Sequence, residues 1–261
     1  MGIKPEPTIL AEVEEATGTA FITLNRPPLN ILDTATLGRL GEALEEAVGG
    51  AGASIVVLRA AGTRAFSAGT EVAEHRPEKV GALIERFHRA ALYLREMEAV
   101  SIAAVKGPAL GGGFELAACC DLIVAAEGAS FGLPEINLGC FPPAALAALS
   151  PVIGRHGTAD IVLTGRRLSA FECLAMGIVS RVVPPEEFEP ALAALLADLQ
   201  SKSRSVLKVA VRALRRAGPG DFRSALGRME RIFLEDLLRL EDAKEGIEAY
   251  LENRKPEWTG R

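Results

Sequence analysis

Apolar and polar residues alternate in short runs through the first half of the chain and give way to helical spacing in its last third. Residues 8 to 15 and 19 to 24 are two alternating or β-branched runs around Gly18, the pattern of a β-hairpin. Asn25-Arg26-Pro27-Pro28 ends it. Asp33 can cap a helix from Thr34 to about Val48, with Leu37, Leu40 and Leu44 on one face and Gly49-Gly50 as the stop. Ile55 to Leu58 reads as a buried strand, followed by a loop from Gly62 to Thr70. A helix from about Pro77 to Met97 then carries Val80, Leu83, Ile84, Phe87, Ala91 and Leu94 on its apolar face. Ser101 to Val105 and Leu122 to Ala125 are two more short apolar runs of strand type. Strands and helices that alternate in this way predict an α/β domain with crossover connections.

From Pro184 onward the pattern is helical. Glu186 to Leu199, Ser203 to Ala217 and Phe222 to Asn253 show little strand-like alternation, and Gly218-Pro219-Gly220 separates the last two. The predicted division is therefore an α/β core over residues 1–183 and a helical region over 184–261, which suits a chain of 261 residues.

Composition narrows the class without naming a function. Hydrophobic residues make up 49% and charged residues 24% of the chain, ordinary for a globular protein and far from the composition of a disordered one. A net charge of −5 disfavours a general nucleic-acid or anionic-membrane partner. Cys119, Cys120, Cys140 and Cys173 form no CxxC pair and offer no metal-ligand spacing, so they read as reduced, buried thiols. The N-terminal MGIKPEPTILAEVEE has acids and prolines where a signal peptide needs a basic start and an apolar core, and a cytoplasmic protein is expected. Ile136 to Gly154 contains no charge, but Gly139, Pro142, Pro143 and Pro151 interrupt it, so it is not read as a membrane span.

The candidate chemistry lies between Ala104 and Pro143. Glu115 is the only Asp, Glu, Lys, Arg or His between Lys106 and Asp121, and Glu135 the only one between Glu127 and Arg155. An ionised carboxylate in apolar surroundings without a partner costs several kcal/mol. It can be retained in a structural ion pair, for which a basic residue would have to arrive through the fold, or for acid and base chemistry. Gly111 to Gly113 precede the helical run Phe114 to Ala118. Glycines at a helix start let the backbone approach a ligand closely, and the free amides there favour a developing negative charge. A tight packing turn is the other reading of the same glycines.

The string GPALGGGFELAACCDLIVA, followed by FGLPEINLG, resembles the crotonase (enoyl-CoA hydratase/isomerase) family, and Ala65-Phe66-Ser67-Ala68-Gly69-Thr70-Glu71 resembles that family's other signature. The segments VAEHRPEKV, LGCFPP and EGIEAYLENRKPEW are most similar to its branch that hydrates cyclic dienoyl-CoA thioesters. The resemblance implies a spiral of ββα units, C-terminal helices that assemble trimers often paired into hexamers, and no permanently bound cofactor, with coenzyme A entering as part of the substrate. It implies an oxyanion hole made by the backbone N–H groups of Thr70 and Gly112, with Glu115 as water-activating base and Glu135 as proton donor. Ser67, Ala68, Gly111, Leu133, Phe141 and Pro142 are then the expected substrate-binding positions. Phe141-Pro142-Pro143 and Leu133 stand where many simple hydratases carry a Gly-rich segment and a glutamine, and a stiffer, more apolar wall suits a compact ring.

Three alternatives keep the fold and change the role. An enoyl-CoA isomerase usually manages with one carboxylate, and a dehalogenase needs an aspartate nucleophile that neither Glu115 nor Glu135 supplies. A non-catalytic RNA-binding or scaffolding homologue is the third. Arg204, Lys208, Arg212 and Arg216 form a basic stripe at four-residue spacing, read as a solvated face, with contact to coenzyme A phosphates or RNA as the alternative. His75, His88 and His156 form no recognisable triad with Ser67, which lacks a G-x-S-x-G elbow, and are read as surface or packing residues.

Overall fold

The structure is a computed structural model that describes residues 6–216 and 222–259. The predicted hairpin is β1 (Ile9–Glu14) and β2 (Thr19–Leu24), paired antiparallel with Ile9 opposite Leu24. Asp33 caps α1 (Thr34–Glu45) by accepting from Thr36 N, and the helix widens into a π turn over Glu46–Gly50 where the glycines stop it. β3 (Ile55–Ala60), α2 (Val80–Glu96), β4 (Val100–Val105) and β6 (Leu122–Ala126) all fall where the apolar runs predict them. β5 (Ala109–Leu110), β7 (Ser130–Gly132) and β8 (Arg167–Ser169) are too short to carry a readable alternation, and β9 (Arg181–Val183), reached through the short α5 (Ala170–Ala175), is the last strand among the described residues.

These strands form two sheets, one of order β1-β2-β3-β4-β6-β9 and one of order β5-β7-β8. All pairs of the large sheet after β1-β2 are parallel. The chain visits the large sheet, then the small one, then a helix: β4, β5 and α3 (Gly112–Ala118) make one such turn, and β6, β7 and α4 (Pro143–Thr164) the next. β3, a bridge from Ser67 to Ala109, and α2 make the turn before them. This is the expected ββα spiral.

α4 was not foreseen in the pattern, because Pro142, Pro143 and Pro151 read as breaks. Pro143 instead occupies the first turn, where no intrahelical donor is needed, and the break is confined to a kink at Gly154. No helix among the described residues is long and apolar enough to cross a membrane.

One face of the large sheet packs against α1 to α4. The other is covered by α6 (Phe188–Gln200) and α7 (Arg204–Arg216) through Phe188, Leu192, Leu196 and Val211. An apolar stripe docks α6, whereas α7 is also fastened by charge. Arg215 donates to Ala99 O at 3.1 Å and to Asp121 Oδ2 at 2.6 Å, and that same oxygen accepts from Ser101 N and Oγ at 2.8 Å. Two members of the basic stripe are likewise engaged within the chain: Arg204 donates to Glu15 O and Ala16 O, and Arg212 pairs with Glu98. The far end of that stripe, the side chain of Arg216, and Ala217 to Asp221 lie outside the described residues.

The stretch from Phe222 to Asn253, helical in pattern, is divided. α8 (Phe222–Arg231) runs through a π turn (Ile232–Asp236) and a 3-10 turn (Leu237–Arg239) into an extended Leu240, and α9 (Glu241–Leu251) then turns back. Sequence periodicity misses the division because no Gly or Pro marks it. Phe233 is buried there beside Val80, Ile84, Cys140 and Ile247. α9 closes against Leu138, with Gly246 so near that an added Cβ would collide with Leu138 O. Gly246→Ala is expected to destabilise the protein by about 1–3 kcal/mol, as overpacking does, and to weaken thioester binding as α9 lifts. Thermal melting and calorimetric titration with a coenzyme A thioester check both.

Candidate active site

Three segments converge on one cavity system: the loop after β3, the start of α3, and the turn that joins β7 to α4. Asn30 and Ser67 hold the first. Asn30 Nδ2 donates to Ala61 O and Ala65 O, each at 3.0 Å, and Ser67 Oγ donates to Asn30 O at 2.8 Å. Leu32 N donates to Gly69 O at 2.9 Å and Glu71 N to Leu32 O at 3.0 Å. Groups along an extended strand alternate in direction, so the N–H of Thr70, between those two, faces away from Leu32. It has no partner among the described residues.

The second segment meets the first at its glycines. Gly111, at φ +51°, donates its N–H to Gly132 O at 2.9 Å and turns the chain into α3. A side chain on Gly111 would press on Glu135 Oε1 at 3.0 Å, and one on Gly112 would meet Thr70 Cγ2 and Phe87 Cε2, both at 2.9 Å. Glycine is therefore required for the two loops to touch. As the first residue of α3, Gly112 has an N–H with no intrahelical acceptor.

The carboxylates have different surroundings. Glu115 is buried on α3, and its Oε1 accepts from Ala145 N at 2.9 Å, with Ala144 N–H nearby as a second backbone donor. Those donors belong to the first turn of α4. Burial pushes the Glu115 carboxyl up to about 7, against the pull of the two amides. Glu135 sits in a 3-10 turn (Pro134–Leu138), and its Oε2 is shut off from solvent with no partner among the described residues. Burial and then the charge of Glu115 hold Glu135 well above the usual carboxylate range. No cation pairs with either group among the described residues, so the structural ion pair considered from the sequence is absent there.

Both carboxylates line an inner chamber of about 30 Å³, room enough for a water molecule. Phe87, Phe141, Pro143 and Phe233 wall it, with Phe141 and Phe233 edge to face at 5.2 Å. Through Thr70, His75, Glu135 and Cys140 it adjoins an outer cavity of about 350 Å³ that reaches Ala68, Gly111 and, on the α9 side, Tyr250 and Arg254. A larger cavity, about 490 Å³, lies between Phe21, Arg59, Lys106 and Phe188 and contains neither carboxylate.

Of the positions expected at the substrate, Ala68, Gly111 and Phe141 line these cavities. Ser67, Leu133 and Pro142 do not line them: the Ser67 hydroxyl is engaged within its loop, Leu133 is fully buried in the core, and Pro142 is the residue before α4. Two histidines read as surface or packing residues stand at the site instead. His75 Nδ1 lies 3.1 Å from Glu71 O and its Nε2 3.4 Å from Thr70 Oγ1, and burial lowers its pKa. His88 lines the inner chamber. The periodicity of α2 held the signal for His88, since it adjoins Phe87 on the apolar face.

Residues 14–261 match the family described as enoyl-CoA hydratase/isomerase. The chain belongs to that family. Among relatives of this hydratase/isomerase chain, cyclohexa-1,5-dienecarbonyl-CoA hydratase from Thauera aromatica is 33% identical over 240 residues, 92% of each chain. A probable enoyl-CoA hydratase from Rhizobium meliloti is 36% identical over 258 residues, 97% of this chain and 98% of the other. The crystal structure of an enoyl-CoA hydratase from Mycobacterium avium subsp. paratuberculosis superposes with a TM-score of 0.86 at 29% identity, covering 98% of this chain and all (100%) of that one. The spiral described above is thus the crotonase fold.

Proposed function

We propose that this family member adds water to an α,β-unsaturated acyl-CoA thioester, and that its preferred acyl group is a cyclic diene. The observation that carries the reading is a pair of carboxylates, Glu115 buried and Glu135 half-buried with its Oε2 shut off from solvent, without a cationic partner among the described residues, facing one water-sized chamber beside two unengaged backbone amides. Water held between the two gives its proton to one carboxylate as its oxygen bonds to an alkene carbon. The alkene electrons move to the thioester oxygen, which Thr70 N–H and Gly112 N–H stabilise as a thioenolate. The thioenolate collapses as the second carboxyl protonates carbon, so one water is added in total.

The surroundings divide the roles. Glu115, with Ala144 and Ala145 as donors, is the more readily ionised and acts as base; Glu135, with an unpartnered oxygen and the Glu115 charge beside it, keeps its proton and acts as acid. The pair titrates as a unit, so its activity follows a bell in pH rather than two independent steps. The expected assembly is a homotrimer or hexamer.

The cyclic preference rests on the wall of Phe141, Pro143 and Phe233 and on the resemblance to the Thauera enzyme. Purified protein is expected to hydrate cyclohexa-1,5-diene-1-carbonyl-CoA with a higher kcat/KM than crotonyl-CoA. The reverse ranking would make it a short-chain hydratase with an unusual turn before α4.

A further inference from the structure

Hydration by two carboxylates leaves their protons on the wrong partners: Glu115 has gained one from water, and Glu135 has given one to carbon. A proton must move before the next turnover. The inner chamber meets the outer cavity at Thr70, His75, Glu135 and Cys140. A thioester whose carbonyl lies at Thr70 and Gly112 fills the outer cavity and closes that mouth, so bulk water cannot reach the pair from there while the thioester is bound.

The chamber has a second boundary at α2. Behind it lies a cavity of about 480 Å³ bounded by Glu85, Arg89, Tyr93, Arg223 and Glu230. Among the described residues, His88 alone lines both spaces. Its ring is buried, and its Nδ1 lies 2.6 Å from Oε2 of Glu230, which is half-buried on α8 at the edge of the wider cavity. A carboxylate only accepts, so Nδ1 carries the hydrogen. Burial lowers the pKa of the ring despite the opposing pull of Glu230, and the neutral ring has a lone pair on Nε2, which has no protein partner among the described residues. In a chamber with room for a water molecule, that water is within reach of Glu115, Glu135 and the open nitrogen of His88. An imidazole can accept a proton at one nitrogen and release one at the other. The ring itself bars the passage of water.

We propose that His88 and Glu230 form a proton path from the Glu115–Glu135 pair to the cavity between α2 and α8, through which the pair exchanges protons with bulk solvent while the thioester stays bound. Outward, a protonated carboxyl gives its proton to the chamber water, which passes one to Nε2 as Nδ1 releases its own to Glu230 Oε2, and Glu230 gives it up to the wider cavity. Inward, Glu230 returns a proton to Nδ1 as Nε2 releases one to the chamber. One passage out and one back restore the starting tautomer, and no bond to carbon changes. This inference rests on the two-carboxylate reading of the site.

The test compares two isotopes at equilibrium. Full-length protein is saturated with the hydrate of cyclohexa-1,5-diene-1-carbonyl-CoA or of crotonyl-CoA in deuterium oxide enriched in heavy oxygen. When bound hydrate loses water and regains it, deuterium enters at carbon if a proton has been exchanged, whereas heavy oxygen enters the hydroxyl only if the water molecule has been replaced. Mass spectrometry of the thioester reads both. Wild type is expected to take up deuterium several-fold faster than heavy oxygen. In His88→Leu, which keeps the boundary closed and carries no proton, the two rates should converge. Glu230→Gln lies away from the chamber, serves if the leucine variant does not fold, and should lower the ratio in the same way. Imidazole added to His88→Ala should raise deuterium uptake without raising that of heavy oxygen, a rescue that a purely structural contact would not give. Equal uptake by active wild type, or a ratio unchanged in folded His88→Leu and Glu230→Gln, overturns the proposal and leaves the hydratase standing; His88–Glu230 is then a clasp between α2 and α8. A wild type that turns over neither thioester removes the hydratase reading and this proposal with it.

Discussion

Glu115→Gln and Glu135→Gln are each expected to lower kcat by roughly 10²–10⁴, the usual contribution of a positioned acid or base, and to raise thermal stability at pH 8. The two effects have one cause. A carboxyl buried without a cation holds its proton more tightly in the folded chain than in the unfolded one. For Glu115 the folded value is about 7 against an ordinary 4.5. Between those values folding takes up protons, so the contribution to stability is greatest at the acid end and falls as pH rises through the window. Glu135, raised further by the charge of Glu115, extends the decline to higher pH. Glutamine cannot ionise, so each variant should melt above wild type at pH 8, and the difference should shrink near pH 4.5. At position 115 the amide oxygen can still accept from Ala145 N. Calorimetric melts across that range, with hydration kinetics beside them, measure both. A variant with near-normal turnover and reduced stability would mean that the carboxylate is structural and the two-carboxylate mechanism wrong.

Thr70→Pro is expected to cost about 10²–10³ in kcat, the scale of losing one oxyanion donor, while Thr70→Ala stays mild. The difference follows from the position of the donor. Leu32 is bonded to Gly69 O and Glu71 N, so the Thr70 amide makes no contribution to that pairing and its removal costs no described hydrogen bond. The threonine side chain has only a long contact to His75. Proline also restricts φ, so circular dichroism, the melting temperature and affinity for free coenzyme A must accompany the kinetics. Free coenzyme A lacks the acyl carbonyl and should bind nearly as to wild type. A folded, coenzyme-A-binding Thr70→Pro protein with wild-type turnover would move the point of carbonyl polarisation elsewhere.

The legible parts of this chain are those in which local pattern and global fold agree. The hairpin around Gly18, α2 and the strands on either side of it carry their periods openly, and Glu115 and Glu135 stand out because no other charge is near them in sequence. The opaque parts depend on partners distant in sequence. Nothing local indicates that Pro143 begins a long helix, or that its first amides are aimed at a carboxylate thirty residues earlier. Ser67 and Leu133, next to signature residues, turn inward because Asn30 and the core claim them. His88 escapes notice because Glu230, its partner, is 142 residues away.

The turn into α4 has two duties that adjacent residues share: Phe141 and Pro143 wall the inner chamber, while Ala144 and Ala145 hold Glu115 by their backbone. Substrate range and reactivity therefore cannot drift independently in this lineage. Widening the wall by mutation shifts the same backbone that holds Glu115, so laboratory evolution toward bulkier acyl groups should pass through variants with depressed kcat as well as altered KM. Recovery is expected from second changes on α3, which move Glu115 back to the donors, rather than from further changes in the wall.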